Sequence, residues 1–147
     1  TLLIDLSGNF SSGTGDGIIG TESSSNPAFI YQQITTATNG LIYEVKMWCT
    51  ENPAGGDNKI DLYSASDGTL NVGNHFGGGG STGTALIQAN EFGDGSISRG
   101  SFDMNDGLTL NNTENQYLYL VKNTGGGGSS TYSAGKLIIK LHGIKDF

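Results

Sequence analysis

The chain has 147 residues, with 14 Asp or Glu against 7 Lys or Arg, so its formal net charge is −7. A nucleic-acid partner requires clustered Lys and Arg to displace counterions, and an anionic membrane surface requires the same, so this balance disfavours both. A hydrophobic fraction of 35% together with 25 glycines indicates a thin core rather than the thick core of an α/β enzyme. We therefore expect one domain over residues 1–147.

The N-terminal 25 residues combine an apolar start with a long polar stretch. Leu2–Leu6 is a strand candidate, and the residues Ser7–Ser25 after it are mostly small and polar. Because edge strands and chain ends both pair readily with other chains, two arrangements remain open. Residues 1–25 form either an arm that lies on a neighbouring molecule or an edge strand followed by a long loop.

Alternation of apolar and polar residues predicts antiparallel strands along the rest of the chain. In Leu41–Cys49 the odd-numbered residues share one face and the even-numbered residues the other, so one face is expected to be buried. Leu137–Leu141 alternates in the same way. Gln116–Lys122 is apolar on both faces, which predicts that both are covered. Further strand candidates lie at Ala28–Ile34, Lys59–Tyr63, Ala85–Ala89, Ser101–Met104 and Gly107–Leu110.

Turn residues between these segments favour an all-β fold. Pairs such as Asn39-Gly40 and Asp67-Gly68 suit the positive φ angles of tight turns, and two runs of four glycines, Gly77–Gly80 and Gly125–Gly128, lie between strand candidates. No long window shows a 3.6-residue repeat, so a single helical turn near Ala89–Phe92 is the most we expect. The sequence predicts a jelly-roll-like antiparallel β-sandwich of about eight or nine strands. An immunoglobulin-like sandwich is the alternative, although its Cys…Trp…Cys pattern is missing.

Residues with catalytic chemistry are few. Cys49 is the only cysteine and lies in a strand, where a small buried apolar role is expected. His75 and His142 are not accompanied by the G-x-S-x-G turn of a hydrolase nucleophile. We therefore predict that the chain is not an enzyme and needs no cofactor.

A short acidic stretch is the strongest metal candidate. Asp103, Asn105 and Asp106 offer the oxygen ligands that calcium prefers, and Gly107 follows them. The stretch lacks the glycine at position six of an EF-hand loop. Because Asp-Gly pairs are also what β-turns require, we favour structural turns over a calcium site.

Aromatic and terminal apolar residues are the candidates for binding. Interface centres are enriched in aromatic side chains, and Trp48 shares a strand face with charged neighbours. The same aromatics could instead fill the core or line a carbohydrate groove. The predicted interface residues are Leu2, Leu3, Ile4, Trp48, Tyr63 and Phe76.

The C-terminal part carries a recognisable pattern. Gln116–Val121 leads through Gly125–Gly128 to the segment Thr131–Gly143, which includes Tyr-Ser-Ala-Gly-Lys followed by three aliphatic residues. This pattern resembles the last strands of small β-rich structural proteins of tailed bacteriophages, and the similarity covers only part of the C-terminal third.

The resemblance implies a capsid decoration (cement) or head-fibre protein on the capsid surface of a virion. Its partners would be the major capsid protein and its own copies, with a homotrimer favoured, and the family offers no catalytic residues to carry over. Two other functions remain open. One is a carbohydrate-binding or receptor-binding fibre module. The other is an extracellular filament subunit in which Thr1–Leu6 completes a neighbour's sheet.

Overall fold

Strand pairing arranges the chain in two antiparallel sheets that pack face to face. The structure is a computed structural model that describes residues 1–21, 25–76, 80–88, 100–102, 115–123 and 128–145. The described elements are β1 (Leu2–Asp5), β2 (Phe10–Ser12), β3 (Ile18–Thr21), β4 (Tyr31–Ile34), α1 (Thr36–Asn39), β5 (Leu41–Ala54), β6 (Ile60–Ala65), β7 (Thr84–Ile87), β8 (Gly100–Phe102), β9 (Gln116–Lys122), β10 (Ser130–Thr131) and β11 (Ala134–Ile144).

One sheet has four strands in the order β1-β11-β5-β8. The other has seven strands: six lie in the order β10-β2-β3-β9-β6-β7, and the seventh, β4, pairs with β9. Every pairing between these strands is antiparallel. The prediction of an all-β antiparallel sandwich is confirmed, whereas jelly-roll connectivity stays a prediction.

Differences from the sequence prediction concentrate near the N-terminus. Leu2–Asp5 pairs with β11 as an edge strand, which is the second of the two arrangements expected for residues 1–25. The polar stretch after it is not one long loop, because it contains β2 and β3. The predicted helical turn at Ala89–Phe92 and the predicted strand at Gly107–Leu110 lie outside the described residues. A four-residue helix that was not predicted occurs at Thr36–Asn39 and ends before Gly40, whose φ of 68° suits a glycine.

The alternation in β5 is correct over its middle and shifts near its start. Val45, Met47 and Cys49 are buried as predicted, but at the start of the strand Ile42 is buried at 4% exposure and Tyr43 is only half-buried. The pairing register with β11 shifts at this point, so that Tyr43 is an extra residue of the bulge type. A bulge moves every residue before it to the opposite face, which explains the change.

Strand β9 is covered on both faces, as its sequence predicts. Leu118 and Leu120 belong to the core cluster between the two sheets, together with Val45, Met47 and Leu62. The outward-facing residues of β9 belong to a second set of buried residues, the outer cluster, which packs over the far face of the seven-stranded sheet. The buried members of the outer cluster are Ile18, Ala28, Ala65, Leu70, Phe76, Tyr119 and Val121.

The outer faces of the two sheets therefore differ in how far their side chains are buried. The seven-stranded sheet carries the outer cluster, which includes residues from the loops after β3 and β6. On the outer face of the four-stranded sheet, β1, β5 and β11 present exposed and half-buried side chains instead, and Leu3 on β1 is 77% exposed. A single exposed apolar residue is ordinary, whereas a contiguous apolar patch marks an interaction site, so the neighbours of Leu3 on this face decide its significance.

Candidate interface on the outer face of the four-stranded sheet

Three apolar side chains stand in register across three neighbouring strands. Leu3 on β1 is directly opposite Ile138 on β11, and Ile138 is directly opposite Trp48 on β5. Side chains of directly opposed residues lie on the same face of a sheet and about 5 Å apart. Leu3, Ile138 and Trp48 therefore form one continuous strip, which we call the apolar row.

Two shallow grooves lie beside the apolar row. One has a volume of about 300 Å³ and is lined by Trp48, Cys49, Thr50, Ile138 and Lys140. The other has a volume of about 270 Å³ and lies between β1 and β11, with Leu3, Lys136 and Ile138 among its lining residues. Ile138 and Thr50 line both grooves, so the two form one corrugated surface around Ile138. Such a surface offers recesses that side chains of a partner could fill.

A charged row borders the apolar row on one side. It contains Asp5, Lys136 and Glu51, which are paired across β1, β11 and β5. The ammonium group of Lys136 donates a hydrogen bond to the Glu51 carboxylate, and this bond with the negative charge of Glu51 raises the pKa of Lys136. Ser7 donates to the Asp5 carboxylate from its hydroxyl at 2.6 Å and from its amide at 3.0 Å, and these bonds lower the pKa of Asp5. This row has two negative charges and one positive charge.

A basic row borders the apolar row on the other side. Lys140 on β11 is paired with Lys46 on β5. The Lys140 ammonium lies 5.4 Å from the centre of the Trp48 ring, within the range of a cation–π contact. Lys46 forms an ion pair with Glu44 at 2.7 Å, and the Nδ1 atom of His142 is 3.8 Å from the same carboxylate. Both lysines are thus held against this face of the sheet.

The structure brings together only some of the predicted interface residues. Leu3 and Trp48 share the apolar row, whereas Leu2 and Ile4 point inward and pack, half-buried, against the core cluster. Ile138 was not predicted, although the alternation of Leu137–Leu141 had already placed it on the face opposite Leu137 and Ile139. That alternation was the signal that could have identified it.

Tyr63 and Phe76 lie on the other side of the sandwich. Their rings stack at 4.9 Å between centroids within the outer cluster. Phe76 is only 3% exposed, because Tyr63 stacks on its ring and Tyr119 packs against it at a steep angle. The roles of Tyr63 and Phe76 as interface residues stay predictions, and neither residue belongs to the apolar row.

Reactive and metal-binding groups are sparse in the described part of the chain. Cys49 is 6% exposed, as expected for a small buried residue, and burial raises the pKa of its thiol. Among the described residues there is no group of three or more His, Cys, Asp or Glu that could hold a metal ion. The calcium candidates Asp103, Asn105 and Asp106 lie outside the described residues. Nor does the described chain include a helix that is long and apolar enough to cross a membrane.

Comparisons with known proteins add no relative. No protein-family model matches the chain, and neither a curated protein nor a solved structure matches it.

Proposed function

We propose that this chain is a structural protein that binds other protein surfaces through the outer face of its four-stranded sheet. The observation that supports this proposal is the apolar row, with Leu3 at 77% exposure at the edge strand. Its centre is apolar and includes a tryptophan, and its borders are charged, which is the usual anatomy of a protein interface. Because the three residues are held on paired strands, little conformational freedom is lost when a partner covers them.

The setting we propose is the surface of a tailed-phage capsid. The support is the sequence pattern, whose segments fold as β9 and β11. β11 carries Ile138, the middle residue of the apolar row. In this proposal the chain is a decoration (cement) protein that binds the major capsid protein and its own copies, and a homotrimer stays a prediction of the resemblance.

Binding to capsids tests the proposal with a matched pair of variants. Trp48→Ala removes the largest side chain of the apolar row. Phe29→Ala removes a half-buried ring that packs at a tilt against Tyr117, with 5.1 Å between ring centroids, in the outer cluster on the opposite side of the molecule. Both variants are first checked for folding by circular dichroism, and co-sedimentation with undecorated capsids is then measured. We expect Trp48→Ala to bind at least about tenfold more weakly, because aromatic anchors at interface centres contribute 2 kcal/mol or more. Phe29→Ala should bind as the wild type does.

Equal binding by wild type and Trp48→Ala would contradict the assignment of this face. Failure of the wild-type chain to bind any capsid would contradict the capsid setting, and self-association would then be tested separately.

A carbohydrate-binding module is the second candidate, because the groove beside Trp48 combines an aromatic ring with Thr50 and Lys140. Retention of the wild-type chain, but not of Trp48→Ala, on immobilised glycans would favour it. The filament alternative has less support. Leu2–Asp5 already completes the chain's own sheet by pairing with β11, so donating it to a neighbour would first break that pairing.

A further inference from the structure

We infer that the outer face of the four-stranded sheet binds the same face of a second copy of this chain. The two copies would be related by a two-fold axis that runs along the apolar row. This inference rests on the proposed function and names the partner of that surface. Its argument is the distribution of charge on the two sides of the row.

A two-fold axis that runs across the strands, along the apolar row, has a definite consequence. It places Leu3, Ile138 and Trp48 against the same three residues of the second copy. It also reverses the strand direction of the second copy relative to the first. Each row that borders the apolar row in the first copy therefore faces the opposite bordering row of the second copy. The row of Asp5, Lys136 and Glu51 therefore faces the basic row of the second copy.

The two facing rows have opposite net charge. Asp5, Lys136 and Glu51 sum to one negative charge, whereas Lys46 and Lys140 are both positive. Since Glu51 and Lys46 lie on the same strand at similar distances from Trp48, each Glu51 would face Lys46 of the second copy. Lys136 would face Lys140, but its ammonium is already bonded to Glu51. Glu51 and Lys46 are also ion-paired within the chain, to Lys136 and Glu44, so the preference for this arrangement comes from the opposite net charges of the two facing rows.

The other two-fold arrangement is less favourable. An axis parallel to the strands would also place the apolar row on itself, but it would set the basic row against the basic row of the second copy. Like charges facing each other across an interface oppose association. The charge pattern therefore selects one of the two symmetric arrangements.

The size of the face predicts the strength of the pair. The strands β1, β5, β8 and β11 cover roughly 500 Å² in projection, from about 3.3 Å per residue and 4.8 Å between strands. A stable interface buries about 800 Å² on each partner. The sheet face by itself is smaller, so we expect a dissociation constant on the order of micromolar.

Two charge reversals test the arrangement. The two-fold axis gives two equivalent contacts, each between Glu51 of one copy and Lys46 of the other. In Glu51→Lys both of these contacts place Lys against Lys, and in Lys46→Glu both place Glu against Glu. Each variant by itself should therefore associate on the order of tenfold more weakly than the wild type. In an equimolar mixture, both contacts of the mixed pair join Lys to Glu, so association should return. Sedimentation equilibrium up to about 100 μM, well above the expected constant, measures all three samples.

A matched control is Lys145→Glu, which changes the net charge as Lys46→Glu does but lies on an exposed residue after β11. We expect it to associate as the wild type does, and mixing it with Glu51→Lys should restore nothing. Recovery in the Glu51→Lys and Lys46→Glu mixture alone supports the two-fold arrangement.

Absence of recovery in that mixture would overturn the arrangement. If Trp48→Ala still abolished association in that case, the face would remain the binding surface and the proposed function would stand. A wild-type chain that forms a trimer unaffected by either charge reversal would overturn the inference as well. A chain that is monomeric throughout, with Trp48→Ala also binding capsids normally, would overturn the proposed function itself.

Discussion

The double coverage of β9 makes a quantitative prediction for two adjacent residues. Leu120 is 0% exposed in the core cluster, and Val121 is 1% exposed in the outer cluster. In an ordinary antiparallel sandwich the outer face is solvated, so replacing an outward valine would cost little. Here Leu120→Ala and Val121→Ala should both destabilise the fold.

The expected costs follow from the atoms removed. A buried Leu→Ala substitution costs 2–5 kcal/mol, with the value set by how far the cavity collapses. Val121→Ala removes two methyl groups at about 0.8 kcal/mol each, to which the cavity adds a further contribution, so we expect about 2–3 kcal/mol. Leu3→Ala is the control, because a residue at 77% exposure should change the free energy of unfolding by less than about 0.5 kcal/mol.

Urea unfolding, followed by circular dichroism at low protein concentration, measures these differences. With a slope of about 1–3 kcal/mol per molar urea for a small domain, Val121→Ala should lower the midpoint by about 0.7–3 M. The reasoning would be refuted if Val121→Ala unfolded within about 0.5 kcal/mol of the wild type while Leu120→Ala was strongly destabilised. The outer cluster would then contribute little to stability.

Two further pairs of variants test particular contacts. Tyr119→Phe should lower the free energy of unfolding by about 1 kcal/mol in chemical denaturation, because the phenol donates a hydrogen bond to the Asp67 carbonyl at 2.5 Å. Tyr132→Phe should be neutral or stabilising, because no partner of its buried hydroxyl is found in the described part of the chain. Burial raises the pKa of Tyr119 to about 12. The stability that this phenol contributes should therefore be complete below about pH 10 and be lost as the pH rises towards 12. An alkaline unfolding curve of Tyr119→Phe as steep as the wild-type curve would contradict this. Gly40→Ala should cost clearly more than Gly15→Ala in thermal unfolding: both have φ above 60°, worth about 1–2 kcal/mol, but only at Gly40 would the added carbon meet backbone atoms. Equal costs for the two glycine variants would refute the role of that close approach.

Much of the sandwich could be predicted because apolar and polar residues alternate along its longer strands. Val45, Met47 and Cys49 were assigned correctly to a buried face, and the apolar run of β9 correctly indicated burial on both faces. Ile18 and Ile19 escaped prediction, because a four-residue strand that follows Gly17 and contains Gly20 is too short to show a period. The bulge at Tyr43 also escaped, since a one-residue shift depends on how β11 pairs with β5 and leaves no local signal.

The candidate site could be predicted only in part, because it too depends on strand pairing that leaves no local signal in the sequence. Leu3 and Trp48 were chosen by residue type, which is a local property. Their alignment with Ile138 depends on the register of three strands that are distant in sequence, so it required the structure. Phe76 was also chosen by residue type, and its burial against Tyr63 depends on tertiary packing that leaves no local signal.

The central claim, that the outer face of the four-stranded sheet is a binding surface, is tested most directly by the fluorescence of Trp48. This residue is the only tryptophan in the chain and the aromatic member of the apolar row, so its emission reports on that face alone. The measurement is the emission maximum and the acrylamide quenching constant of the wild-type chain from about 0.1 to 100 μM, a range that spans the micromolar dissociation constant expected above. The account predicts that emission shifts to shorter wavelength and quenching falls as the concentration rises, with Glu51→Lys needing a higher concentration for the same change. Emission and quenching that stay constant over the whole range would contradict self-association through this face, and the absence of any change when undecorated capsids are added as well would contradict the central claim.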